Sequence, residues 1–260
     1  GMFGDAIKVY QGVLNDRTRV LGSTHPNTLT TRNNYGGVLE DLKMLDKAIK
    51  VYQSGVTDSL SSLGSTHPIT KRFQYDLAST LAQAGRVAEA VCLYRTIFED
   101  ESCDVRADIF DVMAAYNDYA VALVRVGLPE EAVDICRMVV DARTRMQGAG
   151  HFDTLTSRDS LGVALLKDGR LEESIVTLQV VLGDKERLLG SWHQSTELTR
   201  GNLAEAFIVA GRFDEAVPVY QSILEARLSS AEPDDPDVLD ARDNLAWALG
   251  RAKRFDEALA

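Results

Sequence analysis

The sequence predicts an all-α fold, a right-handed α-solenoid (superhelix) of antiparallel helical hairpins with a 42-residue period. Three observations predict it. The run Leu63-Gly64-Ser65-Thr66-His67-Pro68 repeats Leu21-Gly22-Ser23-Thr24-His25-Pro26 after 42 residues, and its phase returns at Gly148 with His151, at Leu189-Gly190 with His193, and at Pro236. Small residues keep the same step at Ala6, Ala48, Ala90, Ala132, Ser174, Ala216 and Ala258, usually after an acidic residue such as Glu89, Glu131, Glu173, Glu215 or Glu257. Gly85, Gly127, Gly169 and Gly211 keep it a third time, followed in three cases by Arg86, Arg170 and Arg212. A register held without insertion from Ala6 to Ala258 marks a repeat array.

Each unit reads as two helices. Pro26, Pro68 and Pro236 suit a first helical turn, where a missing N–H costs nothing. Leu29, Tyr35, Leu39 and Leu42 then follow near helical spacing. Gly85, Gly127, Gly169 and Gly211 stand where a left-handed C′ residue closes a helix. The second helix starts at once, with Pro129 in the first turn of one copy. It carries Ala48, Val51 and Tyr52 on one face in the first copy, and Ala216, Val219 and Tyr220 in another. Gly22, Gly64, Gly148 and Gly190 end it. Such a hairpin has more apolar surface than it can bury alone, so stacked neighbours share a continuous core with a concave and a convex face.

Along the chain, Phe3-Gly4-Asp5-Ala6-Ile7 matches Phe213-Asp214-Glu215-Ala216-Val217, so the sequence opens inside a second helix. It stops inside another at Phe255-Asp256-Glu257-Ala258-Leu259-Ala260. Five full units begin near Pro26, Pro68, Phe110, Phe152 and Gln194, and a sixth first helix begins near Pro236. Residues 1–260 are therefore expected to form a single array of five full units with partial units at both ends. An array cut mid-hairpin lacks the polar caps that repeat proteins need, which leads us to expect a fragment of a longer protein. The third unit diverges most, having lost the Gly–His–Pro signature around Cys103-Asp104-Val105-Arg106-Ala107-Asp108. Pro218 lies beyond the first turn of its helix and should cost a backbone bond or bend it. The loop-like Ser229–Pro236 segment has the length of the other inter-unit turns, so no domain boundary is expected there.

Composition excludes several classes. With 28 basic and 39 acidic residues the net charge is −11, which argues against nucleic acid, where phosphate neutralisation dominates binding. No apolar run approaches the ~18 residues of a membrane span, and no secretory leader pattern opens the sequence. A cytoplasmic protein with no membrane contact is expected. Of Cys92, Cys103 and Cys136, the first and last sit among apolar neighbours on second helices and read as reduced core thiols. His25, His67, His151 and His193 recur at equivalent positions of stacked hairpins. Those are separated by about two helix diameters of ~10 Å, whereas zinc needs ligands at ~2 Å. They mark helix starts, and no metal site or cofactor is expected. No nucleophile elbow, phosphate loop, metalloprotease helix or CxxC pair is present. Gly36-Gly37 reads as a close packing point rather than a phosphate cradle. Carboxylates at helix starts, such as Glu130-Glu131 and Glu172-Glu173, complement the helix dipole. No catalytic residues are assigned and no enzyme is expected.

The two-helix unit resembles the tetratricopeptide repeat, in the longer 42-residue form of kinesin light chains; similar arrays occur in bacterial and fungal signalling ATPases. The likeness is carried by Leu-Gly-x-x-His-Pro at 21–26 and 63–68, by the Glu-Ala pairs, and by Arg32-Asn33-Asn34-Tyr35-Gly36, Arg200-Gly201-Asn202-Leu203-Ala204 and Arg242-Asp243-Asn244-Leu245-Ala246. It covers essentially the whole chain. The resemblance implies a peptide-binding groove lined by the first helix of each unit. Its positions fall on Asn33 and Asn34, then on Arg72, Tyr75 and Asp76. The third unit supplies Asn117, Asp118 and Arg125, the fourth Asp159, Ser160 and Lys167. The fifth supplies Asn202 and Glu205, and the sixth Asp243 and Asn244. The family's asparagine is replaced at Asp76, Asp118 and Ser160, so the column is mixed.

An asparagine offers a donor and an acceptor on one short side chain and can pair with an extended backbone without reading its sequence. The competing reading is that Asn34, Asn202 and Asn244 bond a neighbouring helix and fix the stacking. A groove for an acidic chaperone C-terminus would need converging Lys and Arg. Here Asp76, Asp118 and Asp159 stand among only Arg72, Arg125 and Lys167, so a basic or mixed-charge peptide fits better. The expectation is an interaction module that binds a peptide or partner protein in its concave groove. Two alternatives are a ligand- or peptide-sensing array that controls an attached effector domain, and a structural spacer that self-associates through its ends.

Overall fold

In the computed structural model, residues 2–99, 109–230, 232 and 234–258 are described. Packing groups them into two compact units, Gly1–Gly127 and Leu128–Ala260. The first contains α1 (Met2–Leu21), α2 (Pro26–Asp41), α3 (Leu45–Leu63), α4 (Pro68–Gln83), α5 (Val87–Glu99) and α6 (Ile109–Arg125). The second contains α7 (Pro129–Gln147), α8 (Phe152–Lys167), α9 (Leu171–Leu189), α10 (Gln194–Val209), α11 (Phe213–Ser230), α12 (Pro236–Arg251) and α13 (Phe255–Ala258). Within each unit every helix packs on the next. The first helices α2, α4, α8, α10 and α12 begin at the residues the period predicts, and α6 is described from Ile109 onward. The segment from Cys103 to Asp108 lies outside the described residues.

The recurring signature has a physical reason at each position. His25, His67, His151 and His193 are N-caps whose Nδ1 accepts from the N–H two residues on, at 3.1–3.2 Å, satisfying one of the orphan donors at a helix start. Asp235 does the same for α12 at 2.9 Å. First helices close in a Schellman turn: the Arg86, Arg170 and Arg212 N–H groups each reach back five residues at 2.9 Å. The residue before them is left-handed, with φ between 71° and 80° at Gly85, Gly169 and Gly211, where glycine pays no Cβ penalty. Lys43 and Lys253 make the same turn at φ 58° and 61°. The glycines that end second helices combine φ near 90° with ψ of 160–170° at Gly64, Gly148 and Gly190, a region open essentially to glycine alone.

The Arg and Glu that flank these turns pair with each other. Arg86–Glu89, Arg170–Glu173, Arg212–Glu215 and Arg254–Glu257 are two-pronged contacts on the surface of one turn. The arginine's hydrogen bonds hold each of these glutamates below the usual carboxylate range.

Small residues set the distance between paired helices. Ala48, Ala90, Ala132, Ser174 and Ala216 are fully buried, and Ser174 Oγ donates to the Gly162 carbonyl at 2.7 Å. Gly36 is a packing point as expected: a Cβ there would lie 2.4 Å from the Tyr52 ring. Gly162 meets Leu178 in the same way at 2.6 Å. Pro218 does not end α11, which runs on to Ser230.

One sequence expectation is corrected. Cys136 is buried, and burial pushes its thiol up to about 12, but Cys92 is exposed. In the 42-residue register Cys92 lies two positions before the Cys136 phase, about 200° around the helix. It faces a shallow cavity with Ala88, Glu89, Leu93 and Thr96 instead of the core.

Thr28, Thr70 and Thr154 are fully buried at one phase, and their hydroxyls have no hydrogen-bond partner. Val238 fills that phase in α12, also fully buried. Replacing any of the three by Val is expected to raise stability by about 1 kcal/mol, since a buried hydroxyl without a partner carries a desolvation cost. Thermal denaturation of the single variants checks this; a loss of stability would show that the hydroxyls are satisfied in solution.

Candidate functional site

Positions spaced four, seven and eleven residues apart share one helix face. In α2 the set Thr30, Asn34, Gly37 and Asp41 forms such a lane. Thr30, Asn34 and Asp41 are exposed and Gly37 is half-buried. The 42-residue period repeats the lane in each first helix of a unit. In the first unit it continues as Arg72, Asp76, Ser79 and Gln83 on α4, then Ala114, Asp118, Val121 and Arg125 on α6.

The first unit's lane is tied across helices and dominated by carboxylates. Asn33, almost fully buried beside the lane, donates Nδ2–H to Asp76 Oδ2 at 2.6 Å. Glu40 accepts from the Tyr52 hydroxyl at 2.7 Å and from the Thr80 hydroxyl at 2.6 Å. Arg125 donates to the Ala82 carbonyl at 2.9 Å. Tyr75 is half-buried with its ring 5.9 Å from Phe98, in an aromatic group with Tyr94, Tyr116 and Tyr119. Arg72 is exposed and Asn117 half-buried.

Glu40, Asp76 and Asp118 come from three successive first helices and act in one field. Burial is the main cause that raises the Tyr94 hydroxyl, and the charges of Asp118, Asp76 and Glu40 push it further. Although Asp118 is an exposed residue, its carboxyl group is crowded. That desolvation raises it above the usual carboxylate range, a hydrogen bond with Ser79 lowers it, and the charge of Glu40 raises it again.

The second unit combines its residues differently. Asp159 accepts from Lys185 at 3.0 Å, Thr199 at 3.1 Å and Asn202 at 3.4 Å. Lys185 is fully buried and also reaches the Ser195 carbonyl at 3.3 Å. Asn202 thus makes the stacking bond weighed above, whereas Asn34 and Asn244 are exposed. Lys167 pairs with Glu205 at 2.7 Å. Ser160 is half-buried and Asp243 exposed.

Several residues were not singled out from sequence. Leu198, Val209 and Trp247 are 62%, 55% and 50% exposed on the second unit's lane, so its open surface is more apolar than that of the first. The signal was an apolar residue at a phase with polar residues in other copies: Leu198 at that of Thr30 and Arg72, Val209 at that of Asp41, Gln83 and Arg125, and Trp247 at that of Ser79. The internal cation column was also missed. Arg17, Arg143 and Lys185 share one phase on second helices. Each donates to a carbonyl in the first turn of the next helix and to the hydroxyl of Thr31, Ser157 or Thr199. Among the described residues no group of three His, Cys, Asp or Glu stands close enough to hold a metal ion. None of the described helices is long and apolar enough to cross a membrane.

Stacked hairpins with small residues at the crossings and an open face of first helices define a helical-repeat scaffold of the right-handed α-solenoid class. Family profiles described as tetratricopeptide repeat match residues 1–59 and 195–260, 34–149, and 154–195. The chain belongs to the tetratricopeptide repeat family, whose fold is a protein–protein interaction module. It is similar to a putative kinesin light chain of Podosopora anserina with nearly identical repeats, at 26% identity over 74% of this chain and 92% of that one, TM-score 0.65. In fold it is also similar to BtubC (BKLC) of P. vanneervenii, at 19% identity over 82% and 86%, TM-score 0.66. A third similar fold is YrrB, a repeat protein with an unusual peptide-binding site, at 15% identity over 82% and 91%, TM-score 0.52. None of the curated proteins compared with the chain matches it.

Proposed function

We propose that the chain is a non-catalytic interaction module that holds an extended peptide, or an exposed segment of a partner protein, along the lane of its first helices. The observation that carries this reading is the open lane of the first unit, where exposed Asn34 stands with Glu40, Asp76 and Asp118. Asparagine can pair with a peptide backbone in either direction, and carboxylates held in place by Tyr52, Thr80 and Asn33 are pre-oriented acceptors for ammonium or guanidinium groups. A basic or mixed-charge segment is therefore the ligand class. In the first unit Asn33 serves it by fixing the stacking, while Asn34, Arg72 and Asp118 face the ligand; in the second unit Asp159 and Asn202 fix the stacking and Asn244 stands at the Asn34 phase. Tyr75, Asp76, Asn117 and Arg125 flank its path.

The test is an array of decapeptides of varied charge probed with the wild type and with an Asn34→Ala/Asp118→Asn variant. The amide of Asp118→Asn keeps an acceptor oxygen for Ser79 on α4, so the contact between these first helices survives the change. The variant is expected to lose about tenfold in affinity for Lys- and Arg-containing peptides at an unchanged melting temperature. Equal binding by both proteins, or a preference for acidic peptides, would overturn the assignment.

A further inference from the structure

The four histidine caps are a repeated device with a chemical weakness. A ring nitrogen accepts a hydrogen bond only when it carries no proton; in the imidazolium both nitrogens are donors. The backbone N–H groups of Asn27, Ile69, Asp153 and Ser195 point at Nδ1, which places the neutral ring's proton on Nε2. Asp235, in the same position before α12, is a carboxyl group and keeps an acceptor oxygen in either protonation state. We propose that the array is pH-responsive: on acidification the caps of α2, α4, α8 and α10 are released, each to a degree set by its neighbours, while α12 keeps its cap.

The sign follows from what each state loses. Taking up a proton turns Nδ1 into a donor facing an N–H and places positive charge at the positive end of a helix. The unfolded chain takes up the same proton without losing a bond. Acidification therefore removes a bond from the folded array only.

Charged groups flank each of these turns. Arg17 from α1 donates to the Asn27 carbonyl, and Arg32 to the Ser23 carbonyl, beside His25; Asp58 neutralises Arg32. Lys71, one turn on from His67, is directed away to the Ile97 carbonyl. Lys185 and Arg200 hold the Ser195 and Ser191 carbonyls beside His193, with Glu186 paired to Arg200. Arg143 holds the Asp153 carbonyl beside His151. There a carboxylate opposes the trend, since Asp153 Oδ2 lies 3.6 Å from His151 Nδ1. The four caps should not respond equally.

Amide hydrogen exchange on the whole chain at about pH 7.5 and pH 5, an interval that brackets imidazole protonation in solution, tests this with a built-in reference. After correction for intrinsic exchange, protection at the Asn27, Ile69 and Ser195 amides is expected to fall roughly fivefold, the equivalent of one lost cap. Asp153 should change less and Asp237, behind Asp235, not at all. In a His67→Asp variant the response at Ile69 alone should disappear. If that variant does not fold, the wild-type comparison with Asp237 still decides. Equal loss at all five amides, or no loss at any, overturns the proposal.

Discussion

Replacing Lys185 by Met lowers the stability of the second unit by about 3–5 kcal/mol, the cost of breaking a buried ion pair from one side. The ammonium is fully buried and holds Asp159, Thr199 and the Ser195 carbonyl at 2.9–3.3 Å. Methionine fills much of the same volume, so the loss isolates the charge. It strips Asp159 of its counter-ion while Thr199 and Asn202 remain to bond it. The same chemistry predicts that adding Asp159→Leu to Lys185→Met recovers part of the loss, because the uncompensated charge is then removed. Urea unfolding followed by circular dichroism checks both. A Lys185→Met variant as stable as the wild type would mean that the ammonium reaches water in solution.

The second large effect is steric. Gly36→Val is expected to cost about 2–4 kcal/mol, combining overpacking with loss of the Tyr52–Glu40 bond. Even the first carbon of a side chain would stand 2.4 Å from the Tyr52 ring, which is fully buried and tied to Glu40 through its hydroxyl and so has little room to yield. Gly162→Val should behave alike against Leu178, whereas Gly201→Val meets nothing within 4 Å and should be mild. Thermal melts of the three variants compare them directly. If Gly36→Val melted like Gly201→Val, the close helix approach described here would be wrong.

The period made most of the fold legible, because a residue's phase fixes its burial in a stacked array. Ala48, Ala90, Ala132 and Ala216 could be assigned to the core, and Gly85 or Gly211 to a turn, without any contact being known. The same logic failed for Cys92, where apolar neighbours outweighed a phase two residues away from the buried column. Side-chain partners were the hardest to read. Asn33 finds Asp76 and Asn202 finds Asp159 across 43 residues, one residue more than the period, so no within-unit pattern points to them. Lys185 carries no such signal by itself, because charged residues are common on amphipathic helices. Only its recurrence with Arg17 and Arg143, opposite Thr or Ser, marks it as internal. The histidines were placed at helix starts from geometry, but their capping bond needed the structure.

The central claim is that the face of first helices receives the ligand. Site-specific photocrosslinking tests it most directly, with benzoylphenylalanine placed singly at Thr30 and Leu198 on that face and at Met138 on the exposed side of second helix α7. A basic decapeptide selected on the array, or a partner in lysate, should crosslink from Thr30 or Leu198 and not from Met138. Capture from Met138 alone would place recognition on the second helices and contradict the account.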